Sequence, residues 1–95
     1  MTHYILLKLT PEADAEAAEA VIRNTYRDLE QILPFLRHPR IYRNCIVRDS
    51  NADFMIMLEL DTRKDLQTYL THPLHVAMAQ TLKDSIAVRI SFDHI

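Results

Sequence analysis

Ninety-five residues, 48% hydrophobic and 25% charged, set the scale of one domain. A net charge of −2 with scattered Lys and Arg offers no basic field to displace counterions from phosphate, which argues against a nucleic-acid binder. Glycine is absent, so phosphate-cradling glycine loops are excluded, and the single cysteine, Cys45, can form no intramolecular disulfide or cysteine zinc cluster.

The N-terminal run Met1-Thr2-His3-Tyr4-Ile5-Leu6-Leu7-Lys8 lacks the basic start and long apolar stretch of a signal peptide, and no segment approaches the ~20 apolar residues needed to span a membrane. The expectation is a cytoplasmic protein without membrane association. Residues 2–9 read as a strand, with His3, Ile5, Leu7 and Leu9 on one face and Tyr4, Leu6 and Lys8 on the other. Pro11 and Glu12 open a long helical segment. Its apolar stripe runs through Ala17, Ala18, Val21, Ile22, Tyr26, Leu29, Ile32 and Leu33, and Pro34 stops it. A second strand is expected over 40–48, a turn at Asp49-Ser50-Asn51-Ala52, and a third strand over 53–60. In that third strand Phe54, Ile56, Leu58 and Leu60 oppose Met55, Met57 and Glu59.

Thr62-Arg63-Lys64-Asp65 resembles a capping box and opens a helix from about 63 to 70. Pro73 interrupts it, and helix resumes through Val76, Ala79 and Leu82. The last strand covers 86–93, with Ile86, Val88, Ile90 and Phe92 on one face and Ala87, Arg89, Ser91 and Asp93 on the other. The order β-α-β-β-α-β predicts an α+β, ferredoxin-like protomer: a four-stranded antiparallel sheet with helices on one face, as a single domain over 1–95. The first and third strands, apolar on both faces, belong at the centre, and the second and fourth at the edges. The helix-free face would then show either Met55 and Met57 with Tyr4 and Leu6, or Phe54, Ile56 and Leu58 with Ile5 and Leu7. Either set is too apolar to stay in water, which predicts a homodimer packed face to face. A bare-faced monomer or a different partner is the alternative.

The segment Tyr69-Leu70-Thr71-His72-Pro73-Leu74-His75 is the most specific local feature. Proline suits the first position of a helix, which places His75 in the first turn. The positive end of that helix disfavours imidazolium, so His75 is expected neutral and able to accept a proton. Tyr69 can donate a hydrogen bond to a developing oxyanion. His3 and Asp93 add a second imidazole and a carboxylate, and Asp93 would fix the tautomer of whichever imidazole it reaches. The competing reading makes His72 and His75 caps of a broken helix and Tyr69 a core ring. A metal site from His72, His75 and His3 lacks an acidic ligand at diagnostic spacing. Cys45 reads as a small buried hydrophobe, and His38 and His94 as solvated.

These features together resemble the stress-responsive dimeric α/β-barrel family. The resemblance rests on Tyr69…His72-Pro73-x-His75 followed by a strand ending Phe92-Asp93, and on the opening His3-Tyr4-Ile5-Leu6-Leu7-Lys8-Leu9. The first helix ending at Leu33-Pro34 and the pair Arg43-Asn44 also match, so the likeness covers essentially the whole chain. It implies a ferredoxin-like protomer, a face-to-face dimer and a pocket between sheet and helices. Similar plant proteins cyclise polyketide chains with a tyrosine and a histidine at the places of Tyr69 and His75. By that likeness His75 is the base, Tyr69 orients the substrate carbonyl, and His3 and Asp93 line or support the pocket. The chain departs from the family at Phe35 and Tyr42, where glycine is frequent, and these bulky groups would narrow the pocket.

Three functions compete. One is a cofactor-free enzyme, a cyclase, isomerase or lyase acting on a small carbonyl or polyketide-like compound. The second is a stress-associated protein that holds a small apolar ligand without turnover. The third is a purely structural dimer whose pocket is filled by Phe35 and Tyr42.

Overall fold

The computed structural model describes all 95 residues. Strand β1 is Thr2–Leu9, helix α1 Ala15–Ile32, β2 Leu36–Arg43, β3 Phe54–Leu60, α2 Lys64–Leu70, α3 Pro73–Leu82 and β4 Ile86–His94. The antiparallel sheet has the order β2-β3-β1-β4, so the two doubly apolar strands are central, as the sequence predicts. The fold is ferredoxin-like. The second crossover consists of two helices, because Pro73 cannot supply the N–H that would carry α2 into α3.

Helix α1 begins later than Pro11. Thr10 to Ala13 form a turn, closed by Ala13 N–H donating to the Thr10 carbonyl at 3.1 Å, and the Asp14 carboxylate caps the helix through the Ala17 N–H, also at 3.1 Å. Its buried stripe of Ala18, Ile22, Tyr26 and Leu29 packs on Ile5, Leu7, Phe54, Ile56 and Leu58 of the central strands. The helix-free face therefore carries Tyr4, Leu6, Met55 and Met57, the first of the two sets weighed above.

Two expectations fail at the edges. Strand β2 ends at Arg43 rather than extending to residue 48. Ile46 and Val47 are exposed, at 56% and 101%, in a loop that polar groups close: Asn44 Nδ2 donates to the Ile46 carbonyl at 2.6 Å and Asn51 Nδ2 to Asn44 Oδ1 at 3.1 Å. Cys45 lies in this loop and is exposed, not buried. The strand instead starts at Leu36, which is buried opposite Leu60, and passes an irregularity between Arg37 and Arg40 where His38 takes φ 51°.

In β4 the four apolar residues do not share a face. The register shifts between Lys8 and Leu9, so Ile86 lies opposite Leu9 on the helix side while Val88 lies opposite Lys8. From there Val88, Ile90 and Phe92 face away from the helices, and Arg89, Ser91 and Asp93 face them.

Candidate functional site

Helix α3 owes its start to two residues. Pro73 occupies the first turn, and His72 is the N-cap, its Nδ1 accepting from the Leu74 N–H at 3.1 Å. His72 thus uses its ring on the backbone and does not line the cavity described below, as the capping reading expects. The cap fixes His75 in the first turn, buried at 6% exposure. His75 Nδ1 lies 3.0 Å from the Leu70 carbonyl oxygen. A carbonyl only accepts, so Nδ1 carries the proton and Nε2 keeps its lone pair. Burial holds the His75 imidazole below its ordinary value of 6.5; the Leu70 carbonyl opposes this, and the positive charge of Arg89 and the His3 ring reinforce it. The direction is the one the sequence predicts for His75, with burial as the largest cause.

Tyr69, in the last turn of α2, is fully buried, and its ring stands edge-on to both imidazoles, with centroids 4.8 Å from His75 and 5.7 Å from His3. Its hydroxyl is hydrogen-bonded to that of Tyr26 from α1. Burial raises the Tyr26 phenol to about 12 and pushes Tyr69 further up still. Both phenols stay protonated at any physiological pH, which suits them to donating hydrogen bonds and not to taking protons.

His3 and Asp93 face each other across β1 and β4, and His3 Nδ1–H donates a hydrogen bond to the Asp93 carboxylate. Asp93 thereby orients His3 rather than His75. His3 is 2% exposed and its Nε2 has no partner.

A cavity of about 220 Å³ opens between α3 and the floor formed by β1 and β4. Ile5, Leu7, Met78 and Leu82 give it apolar walls, and Tyr26, His75, Lys83 and Arg89 also line it. Tyr69 and His3 lie behind this wall and meet the cavity through Tyr26 and His75. Phe35 packs on the core and Tyr42 lies on β2, and neither reaches the cavity. No three His, Cys, Asp or Glu side chains gather as a metal site would require.

The structure therefore brings Tyr69, His75, His3 and Asp93 into one connected cluster and leaves out His72. His94 stacks on Tyr4 at 5.5 Å, and His38 pairs with Glu59 at 2.5 Å, both outside the cluster. Tyr26 and Arg89 were not legible as site residues. Tyr26 fits the apolar stripe of α1, and only its phenol marks it as different. Arg89 looks like a polar outward position until the register places it on the helix side.

The whole of this chain, residues 1–95, matches the family described as the stress responsive A/B barrel domain. The chain belongs to that family. No curated protein matches it. Among solved structures, a dimeric ferredoxin-like protein of unknown function from Thermobifida fusca is similar at 22% identity and TM-score 0.80, over 96% of this chain and 85% of that one. A dimeric ferredoxin-like protein from Bacteroides fragilis is similar at 22% identity and TM-score 0.73, over 98% and 94%. A hydroxynitrile lyase from Passiflora edulis is similar at 11% identity and TM-score 0.80, over 99% and 90%. At these identities the likeness is one of fold. This A/B barrel domain shares its overall fold with all three.

Proposed function

We propose that this protein is a homodimeric small-molecule-binding barrel that carries out cofactor-independent proton transfer on a carbonyl compound, with His75 as the base. The observation that carries the reading is the wall shared by His75 and Tyr26. A buried neutral imidazole with its Nδ1 proton committed to Leu70 leaves Nε2 as the acceptor, beside a pair of phenols that remain donors. Proton abstraction beside a carbonyl needs these two parts, a base and a donor for the developing enolate oxygen. Tyr26 meets the substrate oxygen, and Tyr69 holds the Tyr26 hydroxyl in place. His3, held by Asp93, supports the Tyr69 ring from the other side. The fold likeness to a hydroxynitrile lyase, an enzyme by its name, agrees with chemistry on this scaffold without identifying the substrate.

The ring opening of 5-nitrobenzisoxazole needs only a positioned base and tests His75 without knowledge of the natural substrate. The rate is expected to follow neutral His75, flat at high pH and falling on the acid side with a midpoint below 6.5, because the native pKa is lowered. His75→Ala should lose the activity, by on the order of 10²-fold, while keeping its fold. A wild-type rate equal to that of His75→Ala would remove the catalytic reading. Ligand binding without turnover would then be the function of the cavity.

A further inference from the structure

The cavity's charges are unbalanced. Arg89 and Lys83 both line it, and no Asp or Glu does. Neither cation has a hydrogen-bonded or ion-paired partner; Arg40, Arg63 and Lys64 are unpaired too but do not line this cavity, while Arg23, Arg27, Arg37 and Arg43 each meet a carboxylate. The nearest acid on the same face of β4 is Asp93, four residues along the strand, and it is committed to His3. Arg89 is turned toward the helices by the register shift beside Leu9, which sets it opposite Leu7 on the cavity floor. Its charge reaches His75, Tyr26 and Tyr69.

The distribution along the cavity is also directional. His75 sits in the first turn of α3 and Lys83 caps the other end, about 12 Å away at 1.5 Å per residue. Apolar Met78, Ala79 and Leu82 lie between them. A volume of about 220 Å³ falls below the range of roughly 300–1,000 Å³ that suits drug-sized ligands, so the occupant is small.

We propose that the cavity takes a small aliphatic carboxylate: the carboxylate on Arg89 and Lys83, and the apolar body along Ile5, Leu7 and Met78. A planar guanidinium matches a carboxylate in two parallel hydrogen bonds, and an ammonium adds a second positive charge. This names a substrate class for the site above and rests on the reading of that cavity as a binding site. For the proton-transfer chemistry it implies an oxo acid, whose acid group anchors one end while its carbonyl meets Tyr26 and His75.

Octanoate and octanamide, nearly equal in shape and different in charge, separate the possibilities when titrated calorimetrically into the intact protein. Octanoate is expected to bind about tenfold or more tightly than octanamide, with an affinity that falls as salt rises. Arg89→Gln should abolish that preference, its fold checked by thermal melting. Equal affinity of the two probes for the wild-type protein, or unaltered octanoate binding by Arg89→Gln, would overturn the proposal. So would failure of both probes to bind. The nitrobenzisoxazole assay judges the His75 reading independently of all three outcomes.

Discussion

At the scale of single residues, the cluster depends on which polar groups are satisfied. Tyr26 and Tyr69 share one hydrogen bond in a region where both rings are at most 1% exposed. Removing either hydroxyl leaves the other buried without its partner, at a cost of about 1–3 kcal/mol. Replacing both with Phe removes donor and acceptor together. Tyr26→Phe and Tyr69→Phe are therefore each expected to be destabilised, and the double variant to be more stable than the sum of the two losses predicts. Urea unfolding of the four proteins in a double-mutant cycle measures this coupling. Strict additivity would mean that the two hydroxyls do not depend on each other. His3 presents the opposite situation: its Nδ1 is paired with Asp93, while its buried Nε2 has no partner.

Among the elements, α3 decides the geometry of the site. Its first turn carries His75, and that turn is held by the His72 cap and by Pro73. His72→Ala removes the acceptor for the Leu74 N–H and is expected to cost about 1 kcal/mol, whereas His72→Asn restores a short side-chain acceptor and recovers most of it. Thermal melts of the two variants check this, and equal melting of both would show that the cap contributes nothing. The sequence reading gives the helices and strands in their observed order, yet it errs at the two edge strands. Around β2 the apolar pair Ile46 and Val47 imitates a strand, while the real strand is fixed by Leu36 packing against the core and by pairing to β3. In β4 strict alternation would put Ile86 with Val88. One irregularity opposite Lys8 and Leu9 separates them, and no propensity scale records such a shift.

For the molecule as a whole, the open sheet face is the dominant feature. Tyr4, Leu6, Met55 and Met57 lie at its centre, and Val88, Ile90 and Phe92, exposed at 46%, 56% and 64%, continue it along β4. Tyr42 adds a further aromatic from β2, exposed at 46%. A continuous apolar patch of this kind spans several hundred Å² and favours association at roughly 25 cal/mol per Å² covered. A second copy meeting the same face would close it with twofold symmetry. Sedimentation at micromolar concentration is expected to show a dimer for the wild-type protein and a monomer for Phe92→Asp, with the helix content of the monomer retained. A wild-type monomer under those conditions would defeat the homodimer.

Composition and local pattern were sufficient for the class of fold, the central strands, the break at Pro73 and the grouping of Tyr69 and His75. These follow from short-range rules: side-chain period, proline geometry and the residues between them. Tertiary structure alone decided which apolar set faces outward, that Tyr26 completes the phenol pair, that Asp93 pairs with His3, and that Arg89 stands on the helix side, at the cavity. Each of these depends on register or on contacts between residues distant in the chain. A shift of one position in a strand reverses the face of every side chain beyond it, and nothing local in the sequence announces that shift.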